Sequence, residues 1–378
     1  MSLAGGRWQW VLIQWSASAG GTAVALILAP HLAFRPDMPS PGYPETVPHK
    51  PPIEPVRWTP PPVDPLPEYG PAELTVVPMP GDGPEDIVAD ESGQLWTGLV
   101  DGRIVRVSPD GAAAVVADTG GRPLGLHVAR DGRVLICDSH RGLLTLDPST
   151  GGITTLVESV GGRKLTFCSN VSETPDGTIY FTESTSRFHF EHFDGAIIEA
   201  RGTGGLYRLS TDGSVTTLVE GLHFANGVTV TADGSALVFA ETQGRRLSKY
   251  WLTGPQAGTS TPLAVHLPGM PDNISTGSDG RIWVALVSPI VPAAERLAPL
   301  APALRRLLWR LPKPLLPKIE SQVWVVAFDA DTGRAVSGIR MRHKEFGVVT
   351  GVVEADGRLW MSSIEFPALA YTDIGSTY

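Results

Sequence analysis

Asp279-Gly280-Arg281-Ile282-Trp283 is one of six versions of a single pattern, in which an acidic or small residue and a glycine precede an apolar strand. The others are Ser92-Gly93-Gln94-Leu95-Trp96, Asp131-Gly132-Arg133-Val134-Leu135, Asp176-Gly177-Thr178-Ile179-Tyr180, Asp233-Gly234-Ser235-Ala236-Leu237 and Asp356-Gly357-Arg358-Leu359-Trp360. Asp-Gly suits the tightest hairpin turns, which need positive φ. A second ladder of turns lies between them, at Pro109-Asp110-Gly111, Ser149-Thr150-Gly151, Thr211-Asp212-Gly213 and Asp331-Thr332-Gly333. Each repeat therefore reads as four antiparallel strands, one blade of a six-bladed β-propeller. A β-sandwich has no need of six similar units. The last repeat supplies only its inner three strands, and the orphan strand Glu73 to Val77 is placed to complete that blade and close the ring.

Working outward, the repeat glycines are spaced 39, 45, 57, 46 and 77 residues apart, so two units carry insertions. Residues 289–320 account for the longer one. They hold Arg296, Arg305, Arg306, Arg310, Lys313 and Lys318 among Leu, Pro and Trp309, in a chain of net charge −9. Such a segment suits a membrane-surface contact or a lid, and equally a helix packed on the rim. The shorter insertion, 184–203, contains His189 and His192. An acidic chain lacks the basic footprint of a nucleic-acid binder, and two cysteines cannot build a disulfide framework.

Ahead of the repeats, Trp8 to Pro30 is a run of 23 residues without Asp, Glu, Lys or Arg. As a helix it would be about 35 Å long, enough to cross a bilayer core of about 30 Å. Trp8, Trp10 and Trp15 stand at its start, where interfacial aromatics gather. The expectation is an uncleaved single-pass anchor in 1–35, with the body on the non-cytoplasmic side. Residues 36–71 contain fourteen prolines and read as an extended spacer holding the body off the bilayer. The propeller then occupies 72–378.

Counting back from the turn glycines exposes a ring of oxygen donors. Glu85, Asn226 and Asp272 each stand eight residues before their glycine, and Asn170 stands seven before. The innermost strands of a propeller converge on its axis, so these four side chains should meet there. Crowded buried carboxylates need a cation, and carboxylate plus amide oxygens suit Ca²⁺ better than Zn²⁺. Turn capping accounts for any one of these residues but not for four in register.

Arg122-Pro123-Leu124-Gly125-Leu126, Cys137-Asp138-Ser139-His140-Arg141-Gly142-Leu143-Leu144 and Leu267-Pro268-Gly269-Met270-Pro271-Asp272-Asn273-Ile274 resemble the strictosidine synthase-like family. More narrowly they look like its membrane-anchored members related to adipocyte plasma membrane-associated protein. The resemblance covers roughly residues 72 to 375. It implies membership of the wider gluconolactonase and paraoxonase superfamily of six-bladed propellers with one axial Ca²⁺. It places Glu85, Asn170, Asn226 and Asp272 on the metal positions, with Asn273 beside them. It puts in doubt the second, structural calcium of paraoxonases, because Val171 stands where an acidic residue belongs. Strictosidine synthases condense an amine with an aldehyde using a glutamate that aligns here with Thr350, so condensation is disfavoured.

The expected activity is therefore a calcium-dependent hydrolysis of a lactone or ester. Asp272 is the candidate base, and His127, on the inner strand of the second unit, is another. His127 stands five residues before its glycine, which also fits a structural histidine. No Gly-x-Ser-x-Gly elbow is present, which argues against a serine nucleophile. The rival reading is a non-enzymatic membrane-anchored propeller that binds a partner or lipid.

Overall fold

A computed structural model describes residues 50–311 and 320–376. The expected anchor at 8–30 lies outside the described residues, as do Lys313 and Lys318. Among the described residues, no helix is long and apolar enough to cross a membrane.

The described residues form six four-stranded antiparallel sheets and one short two-stranded sheet, Ser159–Val160 with Arg163–Lys164. The innermost strands of the six, blades one to six in order, are Val88–Ala89, Pro123–Val128, Cys168–Glu173, Ala225–Val230, Gly269–Thr276 and Val349–Ala355. Blade six is built from both ends of the repeat region: Thr75–Pro78 pairs with Ala368–Asp373, in register from Thr75↔Tyr371 to Pro78↔Ala368. The six-bladed propeller and its closure by an N-terminal strand follow the expectation from the repeats.

Local chemistry explains the turns. The aspartates of four Asp-Gly pairs, Asp131, Asp176, Asp233 and Asp279, accept the backbone N–H two residues on, an Asx turn that fixes the hairpin. The glycines supply the left-handed conformation, at φ +81° for Gly132 and +84° for Gly280. Middle strands such as Ala236–Glu241 and Val323–Phe328 are buried along their whole length, because both faces pack against neighbouring blades. That is why they read as continuous apolar runs. The core is accordingly a set of layers between blades, such as Trp283, Val325, Val352 and Met361 between blades five and six.

Both insertions leave from the same place, between the second and third strands of their blade. The shorter forms a 3₁₀ turn, Phe190–His192, and helix α1, Phe193–Glu199. The described part of the longer forms α2, Pro292–Leu297, and α3, Pro302–Trp309. The second strand of a blade ends where the first begins, so these helices cover the face at which the innermost strands start.

Residues 50–71 differ from the expected free spacer. They contain no helix or strand, yet they form a strap across this face. Ile53 is buried, the Val56 and Trp58 N–H groups donate to the Glu199 and Ala298 carbonyls, and the Asp64 N–H donates to His266 O. Trp309 Nε1 donates to Pro51 O at 2.7 Å, while Arg305 and Arg245 donate to the Val56 and Pro61 carbonyls. Trp58 stacks on His223, ring centroids 5.8 Å apart. Prolines suit this role, since they hold an extended chain while leaving their carbonyls to accept hydrogen bonds.

Candidate metal centre

Each of blades two to six has a β-bulge in its innermost strand at the same level. The register shifts fall between Pro123 and Leu126, Cys168 and Val171, Ala225 and Val228, Pro271 and Ile274, and Val349 and Gly351. A bulge re-aims the side chains it leaves unpaired. Here it turns them to the axis in two tiers. The upper tier is Glu85, Leu124, Ser169, Asn226, Asp272 and Thr350, all of which line one cavity. The lower tier is Asp86, Gly125, Asn170, Gly227, Asn273 and Gly351. Glycine alternates with a polar residue around the lower tier because there is room for only three side chains. A Cβ on Gly125 would lie 2.5 Å from Asn170 Cα, one on Gly227 2.8 Å from Asn273 Cα, and one on Gly351 2.8 Å from Asp86 Oδ1.

Hydrogen bonds knit the tiers together. Asn170 Nδ2 donates to Asp86 Oδ2 at 3.1 Å and to Asn273 Oδ1 at 3.0 Å. Asn273 Nδ2 donates to Glu85 Oε1 at 3.2 Å, and Asn226 Nδ2 donates to Asp272 Oδ1. Asp86 also accepts the Leu126 and Ile87 N–H groups. The second carboxylate oxygen of Glu85, Oε2, is buried and has no hydrogen-bond partner. Burial, reinforced by Asp272 and Asp86, pushes the Glu85 carboxyl well above the usual range, although Arg122 opposes the shift. Burial, with Asp86 nearby, raises Asp272 to about 8. Asp86 is pushed up to about 7 by burial, against the hydrogen bonds it accepts.

Three neighbouring buried acids, one of them with an orphaned oxygen, carry more negative charge than Arg122 offsets. The donor set of Glu85, Asp272 and the neighbouring amides fits a hard cation such as Ca²⁺. Among the described residues, no group of three His, Cys, Asp and Glu side chains is arranged to hold a metal, so amide oxygens would have to take part in holding one. Asn170 Oδ1 accepts the Val228 N–H at 3.0 Å; it turns toward a cation only if the amide flips and gives up that bond.

Above the upper tier the cavity is apolar, with a volume of about 220 Å³. Four phenylalanines form its wall: Phe167 lies 5.6 Å from Phe224 and 5.8 Å from Phe190, and Phe190 lies 6.0 Å from Phe193, centroid to centroid. Phe190 and Phe193 come from the shorter insertion, and Leu308 of α3 joins them. The 3₁₀ turn is clipped to blade two by His140 Nε2 and Glu191 Oε1, 2.7 Å apart. Hydrogen bonding to Glu191 raises His140, and the same bond lowers Glu191 to about 2.

Not every sequence candidate reaches this site. Glu85, Asn226 and Asp272 line the cavity, while Asn170 and Asn273 belong to the tier beneath. His127 lies on the wall of the opposite opening of the axial channel, with Asp86, Glu173 and Thr229, where burial lowers it to about 4. The structure therefore does not bring His127 to Asp272, because three residues further along an inner strand is too deep for the cavity. Thr350 lies in the upper tier and its hydroxyl donates to Glu85 O at 2.5 Å. Two polar tier residues were not singled out from sequence. Ser169 stands eight before Gly177, the spacing shared by Glu85, Asn226 and Asp272, and Asp86 directly follows Glu85. Cys168 is buried in the core beside Cys137, the two sulfurs 3.1 Å apart.

Comparison with known proteins agrees with this architecture. Residues 80–305 match the family model described as the SMP-30/Gluconolactonase/LRE-like region. Adipocyte plasma membrane-associated protein of Salmo salar is 32% identical over 77% of this chain and 76% of its own. Strictosidine synthase-like 3 of Arabidopsis thaliana is 31% identical over 77% and 82%. Strictosidine synthase-like 13 of the same plant is 34% identical over 62% of this chain, which spans 65% of that relative's length. Among solved structures, a gluconolactonase from Xanthomonas campestris superposes with a TM-score of 0.59 at 18% identity, over 82% of this chain and 99% of its own. A calcium-binding regucalcin from Agrobacterium tumefaciens gives 0.56 at 18% identity, over 80% and 94%; at such identity the likeness is one of fold. With most of its propeller matched by the family model, the chain belongs to the SMP-30/gluconolactonase/LRE-like family.

Proposed function

We propose that this protein is a calcium-dependent hydrolase of apolar lactones or esters. The observation that carries the reading is Glu85 Oε2, a buried carboxylate oxygen without a partner, on the floor of a cavity walled by phenylalanines. Glu85, Asp272 and the amides of Asn226, Asn273 and Asn170 would hold the ion. A bound Ca²⁺ supplies Lewis acidity, which polarises a substrate carbonyl and stabilises the charge that develops on its oxygen.

The remaining work falls to side chains of this chain. The phenylalanine wall binds the apolar part of the substrate and excludes water from it, leaving the polar floor to orient the carbonyl. Asp272 lines the cavity and can take a proton from an attacking water. Asn226 fixes the Asp272 carboxylate by donating to Oδ1, and Thr242 in turn accepts from Asn226 Nδ2 at 3.2 Å. Thr350 offers no carboxylate for amine-aldehyde condensation, and its hydroxyl is committed to Glu85 O.

The test is turnover of phenyl acetate and a panel of alkyl lactones by the purified protein, with calcium and with chelator. Calcium-dependent hydrolysis is the expected result, with apolar lactones preferred over sugar lactones. Calcium bound without turnover of any substrate would leave a binding propeller instead. For the membrane, the charge-free run 8–30 and the adipocyte plasma membrane-associated relative support an N-terminal anchor with the body outside the cytoplasm. Labelling of a cysteine introduced within 36–49 by an impermeant reagent added outside cells checks this orientation; protection there defeats it.

A further inference from the structure

Helix α3 presents an outer face that the other described residues leave uncovered. Arg305 and Trp309 point inward and are buried. Leu304 and Leu307 are 47% and 61% exposed, and Leu300, one turn before Leu304 in sequence, is 46% exposed. These are three of the seven large apolar side chains exposed among the described residues, and they are gathered within eight positions. On a helix of 100° per residue, Arg310 falls beside Leu307 and Arg306 flanks the same face; both arginines are exposed. Leu308, on the other flank, lines the cavity.

Two further observations indicate what covers this face. The first is charge. The patch carries two exposed arginines in a chain of net charge −9, a local reversal of sign that complements an anionic surface. The second is the path of the chain. The strap begins on α3 itself: Lys50 Nζ donates to Leu311 O at 3.1 Å and lies 4.0 Å over the Trp309 ring. The described chain thus starts at this corner of the propeller, so the sequence that carries the charge-free run of 8–30 is joined to the body here.

We propose that the outer face of α3, with Leu300, Leu304, Leu307, Arg306 and Arg310, docks on an anionic lipid bilayer. The leucines enter the interface and the arginines meet lipid phosphates and carboxylates. Docking sets Leu308 and the cavity it lines next to the lipid. The inference does not depend on hydrolysis, since it concerns a surface and not the axial site.

The test uses the full chain carrying Leu304→Cys, labelled with an environment-sensitive fluorophore and reconstituted in phosphatidylcholine vesicles with or without a third phosphatidylserine. The natural cysteines, Cys137 and Cys168, are buried, which directs the label to the new site. Emission should rise about threefold with phosphatidylserine and stay near the aqueous value without it. Adding Arg306→Glu and Arg310→Glu should abolish the rise. Val115→Cys, on the exposed outer strand of blade one, should not respond. Leu307→Cys serves as a second reporter should the first variant melt early. An unresponsive α3 label with phosphatidylserine overturns the proposal, as does an equal response at Val115. A rise with protein concentration in detergent, without vesicles, would instead make the occupant a second copy of this chain.

Discussion

The axial channel has two openings built from the same six strands, and they differ in nearly every chemical respect. One carries Glu85, Asp272 and Asn226 under a phenylalanine wall. The other is lined by Asp86, His127, Glu173 and Thr229, and no helix among the described residues contributes to its lining. The strands alone do not make this difference. It comes from two insertions and a strap that all cover the same face, so that one mouth becomes a pocket roofed by apolar side chains and the other is lined by the strands themselves. A carboxylate gains much more from a cation in the first setting than in the second, because nearby water no longer competes.

The strongest way to break the contrast is to remove the charge from the upper tier. Glu85→Gln combined with Asp272→Asn should reduce bound calcium to background by elemental analysis and lower ester turnover at least about 100-fold. Full calcium in that variant would refute the axial site. Next is the lower tier: Gly125→Ala puts a methyl against Asn170 and should cost about 3 kcal/mol in denaturant unfolding. Gly132→Ala, whose Cβ meets nothing within 4 Å, carries only the positive-φ penalty of about 1 kcal/mol. Equal losses would mean that the tiers are not crowded.

The apolar wall comes third. Phe193→Ala should raise KM for a phenyl ester about tenfold and leave kcat within about twofold, because it removes binding area remote from the carbonyl. Smaller still is the clip that holds the 3₁₀ turn. His140 and Glu191, 29% and 16% exposed, contribute about 1 kcal/mol as a charged pair. The Glu191 share is present above its ordinary value near 4.5 and fades as pH falls through about 2. The His140 share is full below 6.5 and is lost as pH rises through its raised value. Unfolding of His140→Ala against the parent should therefore differ most between about pH 4.5 and 6.5, and a flat difference would dismiss the pair. The smallest effect belongs to the far mouth: His127→Ala should leave turnover unchanged within about twofold, whereas a large loss would join the two openings in one mechanism.

Much of this was legible in the chain, for a physical reason. Asp-Gly is favoured by a tight hairpin, so Asp131, Asp176, Asp233 and Asp279 mark their blades. The ring donors were legible because hairpins of equal length carry the same offset to the axis. Asn170 broke that offset by one residue, which marks the lower tier, and Ser169 kept it. Asp86 escaped notice because an offset of seven carries no meaning until the bulges are known. His127 stands five residues before its glycine, three fewer than the upper tier, and that shorter offset already fits a structural histidine below the cavity. The strap was hidden by its prolines, although Ile53, Trp58 and Tyr69 among them are the residues that a free spacer would not need.

The strap and the closing strand also give the molecule a mechanical order. The ring is sealed by the short pairing of Thr75–Pro78 with Ala368–Asp373, and the strap precedes that seam in the chain. A pull on the chain before Lys50 loads Trp309, Arg305 and the Glu199 carbonyl first, peeling contacts from α3 and α1 one after another. The seam feels the force only after the strap has come away. Tension from the N-terminal side would thus loosen the roof of the pocket while the hoop beneath it remains fastened.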